Sequence, residues 1–266
     1  MFLTRIFTAV IGIPFICVCV YYGNILFRVM MLVISVLCVL EYLLLMSKKY
    51  NPYIIISLIM MIAFFILMCF FKNFSADKVG IYSIIMIFIL FGTELFNKNP
   101  DLCMNRILSS FFGAFFIPLT LVYMIYIRDL NNGMEFVFFI FIVTWILDTA
   151  AYIFGKIFGK HKLAMSISPM KTIEGAIMGI IFAVLTSTIC RNMFMSNILT
   201  LKNAVLLGIV ISIVGQSSDL AESLIKRDVN VKDSGRIIPG HGGFFDRFDS
   251  YIFVAPIVYH ILKFLK

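Results

Sequence analysis

Runs of apolar residues separated by short polar connections govern what this 266-residue chain can fold into. A helix needs roughly 20 apolar residues to cross the hydrocarbon core of a bilayer. Nine stretches suit that role: 6–22, 25–46, 53–71, 79–96, 107–127, 135–155, 173–190, 203–222 and 250–265. With 62% apolar and 14% charged residues, a water-soluble fold of this size would be coated in apolar surface and would aggregate. The expected fold class is therefore an all-α integral membrane protein, a polytopic helical bundle of about nine transmembrane helices. The first run follows Arg5 like a signal peptide, but no small-residue cleavage pattern follows and a second run starts at once. It reads as a retained span.

The connections are short, as in KKYNP (48–52), NKNPD (97–101) and DLNNG (129–133), and no internal repeat or low-complexity linker interrupts them. A single membrane domain over 1–266 is expected, with N-terminal spans in 1–130 and a second set of spans in 131–266. Two connections stand apart, the basic segment 156–172 and the long polar segment 223–249, and long irregular segments in compact proteins tend to be functional. With nine spans, the N-terminus and the connections after spans 2, 4, 6 and 8 share one side. They hold fourteen of the twenty-two Lys and Arg residues, which places both unusual segments in the cytoplasm. The net charge of +8 fits basic loops beside an anionic leaflet, and no long basic run points to nucleic acid. All six cysteines lie in or beside apolar runs without metal-ligand spacing, and read as small buried hydrophobes.

Acidic side chains within spans are costly and tend to be buried and functional. Asp148 lies near the end of span 6, Glu174 opens span 7, Asp219 and Glu222 close span 8, and Asp246 and Asp249 precede span 9. All six fall at the same membrane face in the assigned topology. Continuing span 8 as a helix puts Asp219, Ser223 and Lys226 on one face, and Asp246 and Asp249 share a face at i, i+3. Carboxylates so placed suit Mg²⁺, which takes one or two of them and completes its shell with phosphate oxygens and water. The plainer alternative is interfacial pairing with Lys or Arg. Glu41 and Glu94 stand outside the set with no assigned role, and His161 and His260 read as interface residues.

The segment SLIKRDVNVKDSGRIIPGHGGFFDRFD (223–249) interleaves Lys226, Arg227, Lys232, Arg236 and Arg247 with Asp228, Asp233, Asp246 and Asp249. Gly235, Gly240, Gly242 and Gly243 let backbone amides approach an anion, which suits phosphoryl or nucleotidyl transfer. This stretch resembles the signature of the phosphatidate cytidylyltransferases, also called CDP-diacylglycerol synthases. Ser223, Lys226, Arg227, Lys232, Asp233, Pro239, His241, Gly242, Gly243, Asp246, Arg247 and Asp249 stand where that signature has them. DTAAYIFGKIFGK (148–160), SPMKTIEG (168–175) and GQSSDLAES (215–223) are similar to further family segments. Met170 departs from a common basic residue and Ser218 from a common glycine.

The resemblance implies that CTP and phosphatidate are converted to CDP-diacylglycerol and pyrophosphate, with Mg²⁺ and room for a second cation, at the cytoplasmic face of a bacterial inner membrane. It implies Asp219 and Asp246 as metal ligands, with Asp249 and Asp148 as further catalytic candidates. Lys226, Arg227, Lys232, Arg247 and Lys171 become phosphate contacts, and Ser223 and Asp233 substrate contacts. His241 is expected to bind phosphate or pin the loop. A homodimer is left open. Small residues at Ala151, Gly155 and Gly159, and at Gly175 and Gly179, offer close helix packing, through which span 6 could approach span 8. An ion-coupled transporter would carry its carboxylates near the midplane. Neighbouring lipid enzymes compete too, but the DG…AR…G…D…D pattern of CDP-alcohol phosphatidyltransferases and the GxxxxGK[ST] phosphate loop are not found.

Overall fold

The computed structural model describes residues 2–70, 76–97, 99–235 and 242–265. The apolar runs form long helices: α1 (Phe2–Tyr22), α2 (Asn24–Met46), α3 (Ile54–Phe70), α4 (Ala76–Leu95) and α5 (Cys103–Phe111). A π-helical turn at Phe112–Phe116 joins α5 to α6 (Ile117–Arg128), making one continuous 26-residue apolar rod. Then come α7 (Gly133–Phe158), a hairpin of β1 (Lys162–Ala164) and β2 (Ser168–Thr172), α8 (Ile173–Phe194), α9 (Leu201–Asp228) and α10 (Phe245–Phe264). The chain is an all-α polytopic membrane protein. Among the described residues six helices are long and apolar enough to cross a membrane. The apolar part of α1 and all of α3 are shorter, and α10 opens with Asp246, Arg247 and Asp249.

The antiparallel hairpin pairs Lys162 with Thr172 and Ala164 with Ser168. Nothing in the apolar pattern announced it, because its strands are only three and five residues long. It is anchored where Thr172 caps α8 by accepting from the Gly175 amide at 3.2 Å.

Consecutive rods run antiparallel, and two sets of polar ties fix the ends of the bundle. At one end Lys49 Nζ meets Asp228 at 2.9 Å and Tyr50 donates to the same carboxylate at 2.6 Å, tying α2 to α9. Here too Arg106 and Glu94 form a mostly buried pair at 3.0 Å, and Arg106 donates to the Asn99 and Asp101 carbonyls. At the other end Arg28 pairs with Asp129 at 2.5 Å, and Arg128 donates to the Val20 carbonyl at 2.8 Å. Between these ends the core is aromatic and aliphatic, with Phe27, Phe64, Phe65, Phe139 and Phe245 fully enclosed. Large apolar side chains such as Ile84, Phe88, Ile177 and Leu185 face outward, as suits lipid contact. The six cysteines are free; Cys19, Cys38, Cys69 and Cys190 are buried, as expected.

The small-residue stripe of α7 packs on α8, the next helix in sequence, not on α9. A Cβ on Gly175 would stand 2.6 Å from the Ala151 carbonyl oxygen and 2.9 Å from the Gly155 Cα, so only glycine permits this approach. α9 meets α7 nearer the middle, where a Cβ on Gly215 would touch Leu147 at 3.4 Å. Three helices thus converge beneath the end that carries Asp148.

Candidate active site

α9 remains helical through Asp228, well past its apolar part, because its tail is covered by the hairpin, α2 and α10. That extension carries Asp219, Glu222, Ser223 and Lys226 on successive turns. α10 begins at Phe245, so Asp246 occupies its first turn and Asp249 the next. Lys171 is the last residue but one of β2, and Asp148 lies just past the middle of α7.

Within this frame two charged clusters share an edge. In the first, one oxygen each of Asp219, Glu222 and Asp249 lie within 4.8 Å of one another. Glu222 and Asp249 are 2% and 8% exposed. Lys171 Nζ sits 2.5 Å from Asp219, and Asp148 lies close enough to feel the charges of Asp219, Lys171 and Arg247. Among the described residues no Lys or Arg pairs with Asp249. Its backbone carbonyl accepts a hydrogen bond from Ser218, which gives that departure from the family's glycine a role in joining α9 to α10.

In the second cluster Lys226 Nζ lies 2.6 Å from Glu222 and 2.7 Å from Asp246. Asp246 also accepts from the amides of Ser234 (3.1 Å) and Gly243 (3.0 Å). Burial works against its charge, but hydrogen bonds from the Lys226 ammonium and the Gly243 amide outweigh it and hold the carboxyl down at about 2. Asp246 is thus ionised at any working pH.

The structure therefore sorts the expected residues. Asp219 and Asp249 stand together with Glu222, while Asp246, expected beside Asp219 on an ion, faces Lys226 and backbone amides. Ser223 is buried beside Glu222. Arg227 donates to the Ile167 carbonyl and the Val231 carbonyl, both at 2.8 Å, and so pins the hairpin to the end of α9. Lys232 and Asp233 are exposed and line a recess of about 370 Å³ with Lys48, Val231, Ser234 and Gly235. Arg247 is exposed and directs its charge at Asp148. His241 lies outside the described residues, as do Arg236, Pro239 and Gly240. Glu174, counted with the converging acids, stands apart. It accepts from the Lys160 and His161 amides and pairs with the His161 ring at 2.6 Å, closing the turn between α7 and β1.

The carboxylates fit a hard divalent cation. Three oxygen donors from two helices converge, two of them withdrawn from water, and one has no cationic partner among the described residues. Sequence reasoning passed over Glu41, whose carboxylate reaches from α2 to both Ser234 and the Phe245 amide. Its only sequence signal was an acidic residue inside an apolar run.

Three relatives share the name phosphatidate cytidylyltransferase. Those of Staphylococcus epidermidis strain ATCC 35984 and Staphylococcus haemolyticus are 41% identical over 180 residues, and that of Staphylococcus aureus strain COL is 40% identical over 182. In each case the alignment takes in 66% of this chain and 66% of the relative, so the chain spans just under two thirds of the proteins it matches. The Cytidylyltransferase family matches residues 3–265, nearly end to end, and the chain belongs to that family.

Proposed function

We propose that the chain is a Mg²⁺-dependent phosphatidate cytidylyltransferase of a bacterial inner membrane, with nine spans and its active site facing the cytoplasm. The observation that carries the reading is the juxtaposition of the Asp219, Glu222 and Asp249 oxygens with Lys171 and Lys226 at one end of the bundle. That end also gathers the basic residues Lys48, Lys49, Arg227 and Lys232.

A phosphate oxygen of phosphatidate attacks the α-phosphorus of CTP. The bond from that phosphorus to the bridging oxygen breaks, and pyrophosphate departs with the electron pair, leaving CDP-diacylglycerol in the bilayer. The nucleophile is already anionic at neutral pH, so no strong general base is required. Asp219, Glu222 and Asp249 would hold Mg²⁺, and Asp246 is the further ligand expected from the family signature. The ion supplies charge neutralisation for the triphosphate and the departing pyrophosphate. Lys171 and Lys226, held by carboxylates at rest, are placed to take phosphate oxygens, with Lys232 and Arg247 around them. Asp246 orients Lys226 for that role. Arg227 and Ser218 keep the hairpin, α9 and α10 in register, because transfer of this kind depends on positioning and electrostatics more than on proton movement.

Purified protein incubated with labelled CTP, phosphatidate and Mg²⁺ is expected to yield lipid-bound CMP and free pyrophosphate, and chelation of the metal to stop both. Folded protein that forms neither product would overturn the reading.

A further inference from the structure

Glu41 belongs to α2, in the N-terminal half, about 190 residues from the loop it touches. Its side chain is 2% exposed. One oxygen, Oε2, accepts from Ser234 Oγ at 3.1 Å and from the Phe245 amide at 2.9 Å. The Phe245 amide is one of the donors that the start of α10 leaves without an intrahelical acceptor, so Glu41 caps that helix from outside. The other oxygen, Oε1, is buried and has no hydrogen-bond partner among the described residues. Burying a carboxyl group with an unsatisfied oxygen is costly, so two hydrogen bonds alone do not account for its presence.

The surrounding backbone is shaped to it. A Cβ on Gly243 would lie 2.1 Å from Oε2, and one on Gly235 would lie 2.7 Å from Oε1. Neither position admits a side chain while Glu41 stays in place. Both glycines are usually read as phosphate-approach residues, yet here they also make room for a carboxylate from another helix. From Ser234 the connection continues: its amide donates to Asp246, Asp246 holds Lys226, and Lys226 reaches Glu222 at 2.6 Å. An unbroken chain of hydrogen bonds and ion pairs thus runs from α2 into the carboxylate cluster.

We infer that Glu41 is a positioning residue for the proposed reaction. It joins residues 234–235 to the start of α10 and thereby sets where Asp246 and Lys226 stand relative to Asp219, Glu222 and Asp249. This rests on the function proposed above. Outer partners of metal and phosphate ligands are worth about 10- to 100-fold in affinity or activity when removed. Glu41→Ala is expected to lower kcat/KM for CTP by about that factor per folded molecule and to raise the Mg²⁺ concentration for half-maximal rate. Glu41→Gln, which keeps an oxygen acceptor, should fall between Ala and wild type. Gly243→Ala should reproduce the Glu41→Ala phenotype by displacing the carboxylate. The double variant should be no worse than the poorer single, because with Glu41 gone the Ser234 hydroxyl, 2.2 Å from the added methyl group, can turn into the vacated space.

The 266-residue chain in lipid nanodiscs serves for every measurement. A merely structural Glu41 would lower yield and melting temperature but leave kcat, KM and Mg²⁺ half-saturation of the folded fraction at wild-type values, and that result would overturn the inference. So would effects of Glu41→Ala and Gly243→Ala that simply multiply in the double variant. If Glu41→Ala does not fold, Ser234→Ala severs one bond of the clasp and should still shift Mg²⁺ half-saturation; an unchanged value overturns the inference equally. An inactive wild type would instead overturn the proposed function. The Mg²⁺-induced rise in melting temperature, expected to shrink in Glu41→Ala, would then decide the positioning role.

Discussion

Asp249→Asn should make the metal-free protein more stable and the enzyme inactive. The carboxylate lies within 4.8 Å of both Asp219 and Glu222 and has no cationic partner among the described residues. At alkaline pH, where these groups are ionised, two unit charges at that distance repel by roughly 3.5 kcal/mol at an effective dielectric constant of about 20. Lys171 offsets much of the charge on Asp219 and Lys226 much of that on Glu222, so the net relief falls to about 1–2 kcal/mol. Asparagine is isosteric and retains the oxygen that accepts from the Ser250 amide at 2.7 Å, so no cavity or lost bond counters the gain. For a chain of this size each kcal/mol moves the melting temperature by about 2–4 °C. Thermal unfolding in EDTA should therefore show Asp249→Asn melting several degrees above wild type. Adding Mg²⁺ should raise the wild-type melting temperature and leave the variant unmoved. Formation of lipid-bound CMP should be lost. A variant that melts lower than wild type in EDTA and still responds to Mg²⁺ would refute the idea that Asp249 is a strained, unpaired ligand.

Lys226→Met strands the carboxylates of Glu222 and Asp246, and breaking a buried pair from one side costs about 3–5 kcal/mol, so denaturant unfolding should shift strongly along with loss of turnover. Arg106→Met leaves Glu94 with the Tyr53 hydroxyl but no cation at the same bundle end and should cost somewhat less, yet kcat and KM of the folded fraction should stay at wild-type values. Gly175→Ala forces α8 away from α7 and should destabilise by about 1–3 kcal/mol, read as a lower melting temperature. Arg227→Lys keeps the charge but cannot span both the Ile167 and Val231 carbonyls; it should raise KM for CTP more than it lowers kcat.

The helices lay open in the sequence because hydrocarbon imposes a length on every span, and each predicted run overlaps an observed rod. The end proposed to carry the chemistry was legible for a related reason: acids at span termini are few, so their common side shows. What sequence could not supply was pairing across helices. Asp246 and Asp249 share a helix face by spacing, but the carboxylates part company because Lys226 and two loop amides take the first while the second turns to Asp219. Glu174 sits at the right end of its helix and is nonetheless captured by a local turn. Glu41 meets partners 193 and 204 positions away, a relation no local pattern encodes. The hairpin escaped notice because its strands are too short for alternation to register.

At rest the pocket holds more carboxyl groups than basic ones. Asp148, Asp219, Glu222, Asp246 and Asp249 outnumber the neighbouring Lys171, Lys226 and Arg247. If the chain takes a nucleotide as proposed, a bare triphosphate reaches these carboxyl groups without a counter-ion, whereas one already chelated arrives with its charge largely cancelled. On the proposed function, that carboxyl-rich floor selects the chelated nucleotide over the free anion before any bond is broken.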